Sequence, residues 1–466
     1  MRLDPVILSR LQFFWVVSFH ILLPAFTVGL ACYIAVLEAL HLKTRDRTYL
    51  LISIFWTRIF AVSFGLGVVT GIVMPFQFGT NWSRFSDTAS NVIGPLMAYE
   101  GLTAFFLEAS FLGILLFGRK LVPPWAHCFA AIMVAAGTLF SSFWIIAANS
   151  WMQTPAGYEI IDGRFHAVDW LAVIFSPSFP YRLAHVVTAF LVTTGFVVIG
   201  VAAHHLRRAQ SIVECRRMLS MTFGLLTVLV PLQIVLGDQH GLNTLHHQPA
   251  KIAAMEGHWE TQAGAPLILV GWPDQQAEVT RWAVEVPYLA SLILTHRFDG
   301  RVPGLKDWPP DDRPPSAIIF WSFRVMVGIG VLMLLVVTIA GWLRWKRRLY
   351  DTGWFLLICV TLAPLGFAAV IAGWITTEVG RQPWVVYGLL RTADAVTPSL
   401  SSGDVAVSLA VYVVVYLVVY PVTLYYLLSL MRAGPTTAEE AAPAIAGLQR
   451  SLPARAAAGA VAEPQR

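Results

Sequence analysis

Charge is what this chain has least of. Of its 466 residues only 13% are Asp, Glu, Lys or Arg, against roughly 25% in an ordinary soluble domain, which excludes a solvated globular surface over most of its length. Cysteine is almost as scarce. Cys32, Cys128, Cys215 and Cys359 stand alone, without the C-x-x-C spacing of a zinc or redox site or the density of a disulfide framework, so buried thiols are expected. A cleavable signal pattern is missing too: the first apolar run continues to about Leu40 with no small-residue cleavage site, and the first span is expected to be retained. Nor is there an internal repeat of the kind that marks many transporters. The formal charge of +5 does not argue for nucleic acid, because the basic residues cluster in short stretches between apolar runs.

What is present is hydrophobic length. Apolar residues make up 57% of the chain, with 28 Phe and 17 Trp. Runs long enough to cross a bilayer recur at 13–40, 51–78, 95–117, 123–148, 181–204, 218–237, 316–343, 353–376 and 405–431. This pattern predicts an all-α membrane protein of about nine transmembrane helices. Lys43, Arg45 and Arg47, then Arg119 and Lys120, then Arg207, Arg208, Arg216 and Arg217, then Arg344, Lys346, Arg347 and Arg348 follow odd-numbered spans. The positive-inside rule therefore puts the N-terminus outside and the C-terminus in the cytoplasm. The expected order is helices 1–6 over 1–237, an outer loop over 238–315, helices 7–9 over 316–433, and a disordered cytoplasmic tail, rich in Ala, Pro and Glu, over 434–466. Within the loop, KIAAMEGHWETQ reads as ordered and amphipathic.

Polar residues inside the apolar runs are the functional candidates. His20 lies within the first span and needs a partner, either a hydrogen bond from another helix or a metal. Pro24 cannot donate to the His20 carbonyl, so a kink is expected beside the histidine. Glu100 and Glu108 in YEGLTAFFLEASFLG stand about 12 Å apart along an α-helix and about 80° around it. They read as successive stations of a proton route, or as polar glue between helices. Ser141 and Asn149 repeat that spacing on the fourth span. His185 opens the fifth span and Met326 the seventh; imidazole and thioether are a known axial pair for haem iron, although a methionine in an apolar helix is otherwise packing. Arg324 points away from Met326 on an ideal helix, yet its long side chain can reach a propionate or a quinone oxygen. In GWITTEVGRQPW, Trp374 and Glu378 share a helix face, and Arg381 is placed to pair with Glu378 or a bound anion before Pro383 stops the helix. A snorkelling helix cap is the plainer alternative there.

Five motifs together, His20 in its span, EGLTAFFLE, the WMQ loop, FWSFRVM and GWITTEVGRQPW, resemble subunit I of the cytochrome bd-type quinol oxidases, over essentially the whole chain except the tail. The resemblance implies a nine-helix subunit of the bacterial inner membrane that oxidises ubiquinol or menaquinol on the periplasmic side and reduces O2 to water with cytoplasmic protons. It implies His185 and Met326 as ligands of a low-spin haem b, with Arg324 close by. His20 and Glu378 are implied as axial ligands of a high-spin pair, a haem b and a haem d or a further haem b in its place, with Glu100 beside them. The implied catalytic residues are Glu100, Glu108 and Arg381, with Trp374 at the cofactor site and protons passing through Glu108, Ser141 and Glu100. KIAAMEGHWETQ resembles the quinol-binding part of the outer loop, implying Lys251 to hold a developing oxyanion and Glu256 to take the hydroxyl proton. The short loop resembles the branch that includes oxidases described as cyanide-insensitive. Implied partners are subunit II, a small single-span subunit and membrane lipid. By residues alone, two other classes account for the buried glutamates and histidines: a proton- or cation-coupled transporter, and a haem-anchoring electron-transfer subunit without oxidase activity.

Overall fold

The computed structural model describes residues 4–435. The tail expected from 434 onward thus lies, beyond Pro435, outside the described residues. Helices begin where the sequence supplies caps and prolines. Asp4 accepts the N–H of Val6 at 2.9 Å, with Pro5 opening α1 (Pro5–Leu22). Because Pro24 has no N–H, the His20 carbonyl is taken by the N–H of Leu23 at 3.0 Å, and the first crossing breaks there into α1 and α2 (Pro24–Thr44). The kink expected beside His20 is present. Asp46 then caps α3 (Arg47–Thr80) through the N–H of Thr48 at 2.8 Å.

The rest follows as α4 (Ser83–Tyr99), a π-helical turn at Glu100–Phe105, α5 (Phe106–Phe117), α6 (Pro124–Gln153), α7 (Trp170–Ile174), α8 (Phe179–Arg207), α9 (Ile212–His247), α10 (Pro249–Glu256), α11 (Leu289–Thr295), α12 (Ser316–Trp345), α13 (Gly353–Leu362), α14 (Leu365–Val379) and α15 (Ser402–Ala433). Among the described residues, nine helical stretches are long and apolar enough to cross a membrane, the number expected. Several boundaries differ from those expectations: the third crossing begins at Ser83, well before residue 95, and α6 runs on past residue 148 to Gln153. Helix α9 continues past residue 237 to His247, since hydropathy marks where lipid contact ends and not where backbone hydrogen bonding ends. The eighth crossing is split between α13 and α14 at Ala363–Pro364, where proline again removes a backbone donor.

Short antiparallel strand pairs decorate one end: β1 (Tyr158–Ile161) with β2 (Arg164–Ala167), β3 (Gln262–Ala263) with β6 (Arg301–Val302), β4 (Leu267–Asp274) with β5 (Val279–Val286), and β7 (Trp384–Val386) with β8 (Leu390–Arg391). The first turns through Asp162 and Gly163, both at positive φ, as a two-residue hairpin loop requires. At this end the long connections lock together: Thr397 N–H donates to the Asn81 carbonyl at 3.0 Å, and Arg391 pairs with Asp312. The short basic connections gather at the opposite end, where Arg217 pairs with Asp46 at 3.4 Å and His205 meets the Met431 carbonyl at 2.8 Å. One apolar core, including Trp56, Phe196, Phe223 and Phe355, holds α2, α3, α8, α9 and α13 together. A second, around Trp82, Phe85, Trp151 and Phe165, closes the loop end.

Candidate functional site

A cavity of about 1520 Å³ runs through the bundle, larger than the roughly 300–1,000 Å³ of a pocket for one small molecule. Every candidate residue named from the sequence lines it except Arg324. His20 reaches it from the end of α1. Its Nδ1 lies 2.9 Å from Thr70 Oγ1, and that hydroxyl is also 3.0 Å from the Leu66 carbonyl. A hydroxyl has one proton, and the carbonyl can only accept it, so Thr70 accepts from Nδ1–H and Nε2 is left with a bare lone pair. Gly71 makes room for the ring: a Cβ there would stand 3.2 Å from His20 Cε1.

His185 on α8 and Met326 on α12 sit in similar notches. A Cβ at Gly237 of α9 would lie 3.2 Å from His185 Cε1, and one at Gly373 of α14 would lie 2.7 Å from Met326 Sδ. Gln233 Nε2 is 3.3 Å from the His185 ring nitrogens, and the ring of His240 is 5.7 Å away, centroid to centroid. Both of those residues also line the cavity.

Helix α6 forms the spine of the site. Gly137 lets α5 close on it, since a Cβ there would lie 2.5 Å from Glu108 Cγ. One turn on, Ser141 donates to Glu100 Oε1 at 2.8 Å. Asn149 donates to Glu378 Oε1 at 2.9 Å, and Gln153 accepts from Lys251 Nζ at 2.8 Å. Glu108, Glu100, Glu378 and Lys251 are thus met in order between Gly137 and Gln153 of one helix, 16 residue steps or about 24 Å at 1.5 Å per residue. The π turn at Glu100–Phe105 changes the phase between the two glutamates from the α-helical value that their spacing suggests. Turns of this kind recur at functional sites. Asn149 does not bridge the glutamates; it lies beyond Glu100, on the Glu378 side, and its amide oxygen accepts from Arg182.

The end of α14 behaves as GWITTEVGRQPW suggests. Arg381 pairs with Glu378, both side chains line the cavity, and Trp374 stacks on Phe14 with centroids 5.6 Å apart. Sequence reasoning missed Arg182, although an arginine three residues before His185 in an apolar run was a visible signal. It also missed Gln153, whose role depends on neighbours distant in sequence. A further missed cluster lies outside the cavity near the basic end: buried Glu38 pairs with Arg119 at 2.6 Å, with His127 Nδ1 at 3.1 Å and with Ser53.

The loop helix α10 is buried all round, where an amphipathic stretch with one wet face was expected. Lys251 and Glu256 are five positions apart and so about 140° apart around it. They face different partners. Burial pushes the Lys251 ammonium well below the ordinary lysine range; Arg182 adds to the shift and Glu378 opposes it. Burial raises the Glu256 carboxyl, against the pull of Arg324, whose guanidinium is 3.9 Å away. Arg324 itself is turned toward the loop, where it donates to the carbonyls of Ile268 and Met255. It clamps β4 and α10 to α12.

The donor set fits haem. His20, His185, Met326 and Glu378 each offer one nitrogen, sulfur or oxygen atom from a different crossing, which suits axial ligation of a macrocycle that brings its own equatorial nitrogens. Arg182 Nε and Arg381 Nε and Nη1 are buried without a protein partner, and such donors suit anionic edges.

A membrane bundle enclosing single axial-type donors is the build of an integral subunit that holds buried prosthetic groups. The family described as "Cytochrome bd terminal oxidase subunit I" matches residues 8–435. The chain is 36% identical to "Cytochrome bd ubiquinol oxidase subunit 1" of Bacillus subtilis (strain 168), covering 88% of this chain and 90% of that one. It is 31% identical to "Cytochrome bd-II ubiquinol oxidase subunit 1" of Escherichia coli (strain K12), covering 94% and 99%. Its fold matches the solved bd oxidase from Geobacillus thermodenitrificans with a TM-score of 0.86 at 33% identity, over 93% of this chain and 99% of that one. The chain belongs to the cytochrome bd terminal oxidase subunit I family, as its motifs implied. It is a multi-pass bacterial membrane protein of the haem-dependent terminal oxidases.

Proposed function

We propose that this chain oxidises a membrane quinol at α10 on the periplasmic side and supports reduction of O2 to water with protons drawn from the cytoplasm. The observation that carries the reading is the common cavity: candidate haem ligands, buried carboxylates and the Lys251–Glu256 helix all line one space. His185 and Met326 hold a low-spin haem b, and His20 and Glu378 the high-spin haem b and haem d, or a further haem b, which when bound supply the electron transfer and oxygen chemistry. Thr70 fixes the His20 tautomer, and Arg381 and Asn149 hold the Glu378 carboxylate in place.

Lys251 hydrogen-bonds the quinol oxygen as negative charge develops, and Glu256 accepts the hydroxyl proton, chemistry common to ubiquinol and menaquinol head groups. Glu108 takes protons from the basic end of the bundle and passes them through the Ser141 hydroxyl to Glu100. The basic end faces the cytoplasm, in keeping with its Lys and Arg content. Subunit II and a small single-span subunit complete the assembly. The test is a reduced-minus-oxidised spectrum of the purified complex together with quinol-dependent O2 uptake. Haem bands and quinol-driven uptake are expected; a colourless, haem-free protein defeats the reading.

A further inference from the structure

The WMQ stretch, expected in an outer loop, is instead the last turn of helix α6; it has no part in the reaction as set out above, yet its glutamine occupies a singular position. Gln153 is 1% exposed. Its Oε1 accepts from Lys251 Nζ at 2.8 Å and from Gln248 Nε2 at 3.1 Å, which fills both lone pairs. Its Nε2 points the other way, 3.4 Å from Glu378 Oε1. Among the described residues, Gln153 is the only hydrogen-bond acceptor of the Lys251 ammonium. The lysine stem runs where a Cβ at Gly380 would stand, 2.7 Å from Lys251 Cγ, so α10 is pressed onto the turn that follows Glu378. One neutral amide therefore joins the loop helix to the membrane carboxylate, oriented to accept from the lysine and donate to the carboxylate.

We propose that Gln153 is a positioning residue that fixes Lys251 for quinol and Glu378 for its haem through one amide, coupling the two sites. This rests on the quinol and haem assignments above and adds the link between them. A hydrogen bond donated to a ligating carboxylate draws electron density from it, and partners that touch a ligand in this way tune the metal. Removing that donor makes the carboxylate more electron-rich and lowers the midpoint potential of the haem that Glu378 holds.

The experiment uses the assembled oxidase with Gln153→Met, which keeps the length of the side chain and removes both polar atoms. The expected result is a quinol KM raised about tenfold, kcat largely retained, and a lower midpoint potential in spectroelectrochemistry. Lys251→Met combined with Gln153→Met should be no worse in KM than the worse single variant, because residues acting through one contact are not additive. Wild-type KM and potential in Gln153→Met overturn the proposal, as does additivity of the two variants. If Lys251→Met alone leaves the quinol KM unchanged, the quinol assignment of α10 fails, and an unshifted potential in Gln153→Met then removes the positioning role as well. Should Gln153→Met fail to assemble, Lys251→Met tests the link from the other side. With the lysine donor gone from Gln153 Oε1, the potential of the Glu378 haem should shift, and an unmoved potential overturns the coupling.

Discussion

Asn149 and Glu378 are 229 residues apart in the chain, and the Asn149 amide donates to Glu378 Oε1 at 2.9 Å while its oxygen accepts from buried Arg182. Asn149→Leu keeps the branched shape of the side chain but leaves the Arg182 guanidinium without that acceptor. A stability loss of about 1–3 kcal/mol follows from stranding a buried donor. Thermal denaturation of the solubilised complex measures it as a lower midpoint, and a wild-type midpoint contradicts the role given to Asn149.

Met326→Leu conserves volume and removes the sulfur. The fold should survive, and the low-spin haem should gain an open position. Binding of CO to the reduced variant, seen by absorption, is the expected outcome; an unchanged low-spin spectrum excludes Met326 as a ligand.

Thr70→Val replaces the hydroxyl that accepts from His20 Nδ1–H by a methyl group of the same shape. Loss of a hydrogen-bond partner to a ligating histidine costs roughly 10–100-fold in metal affinity or activity. The high-spin haem content per purified complex should fall, or its band should shift, while the low-spin band stays in place.

Glu256 carries a pH signature. Burial holds its carboxyl above the ordinary glutamate range, and only the ionised form can accept the quinol proton, so quinol oxidation should fall as pH drops through that raised value. Glu256→Gln should be slow at all pH and lose this acidic limb. Linkage has a definite sign here: a carboxyl raised in the folded state favours folding below its unfolded pKa and loses that contribution as pH rises through its folded pKa. The variant should therefore gain thermal stability relative to the parent at alkaline pH and not at acid pH.

Glu108→Gln should slow O2 reduction and electrogenic proton uptake while leaving haem content near that of the parent, because Glu108 packs against Gly137 of α6 on the basic-end side of Glu100. Glu100→Gln should disturb the high-spin spectra as well. Loss of the high-spin haems in Glu108→Gln, with normal proton uptake by what remains, would make Glu108 structural.

Much of the architecture could be read from the chain directly. The nine crossings, the kink at Pro24 and the Glu378–Arg381 pair are local, because lipid forces each span to satisfy its own backbone and helix geometry sets which side chains share a face. Imidazole and carboxylate inside apolar runs could be picked out as candidates, because burying them without a partner is costly, whereas the Met326 thioether could not be told from packing by its position alone. Only the tertiary structure decided which of them meet. Nothing in the spacing of Glu100 and Glu108 announces the π turn between them, nor that Arg324 turns to the loop carbonyls while Arg182 takes a place beside Glu378. The order in which α6 touches Glu108, Glu100, Glu378 and Lys251 is set by how apolar helices of nearly identical composition choose their neighbours. Periodicity gives each helix a face but not a partner, because packing complementarity resides in the shapes of side chains brought together from distant parts of the chain.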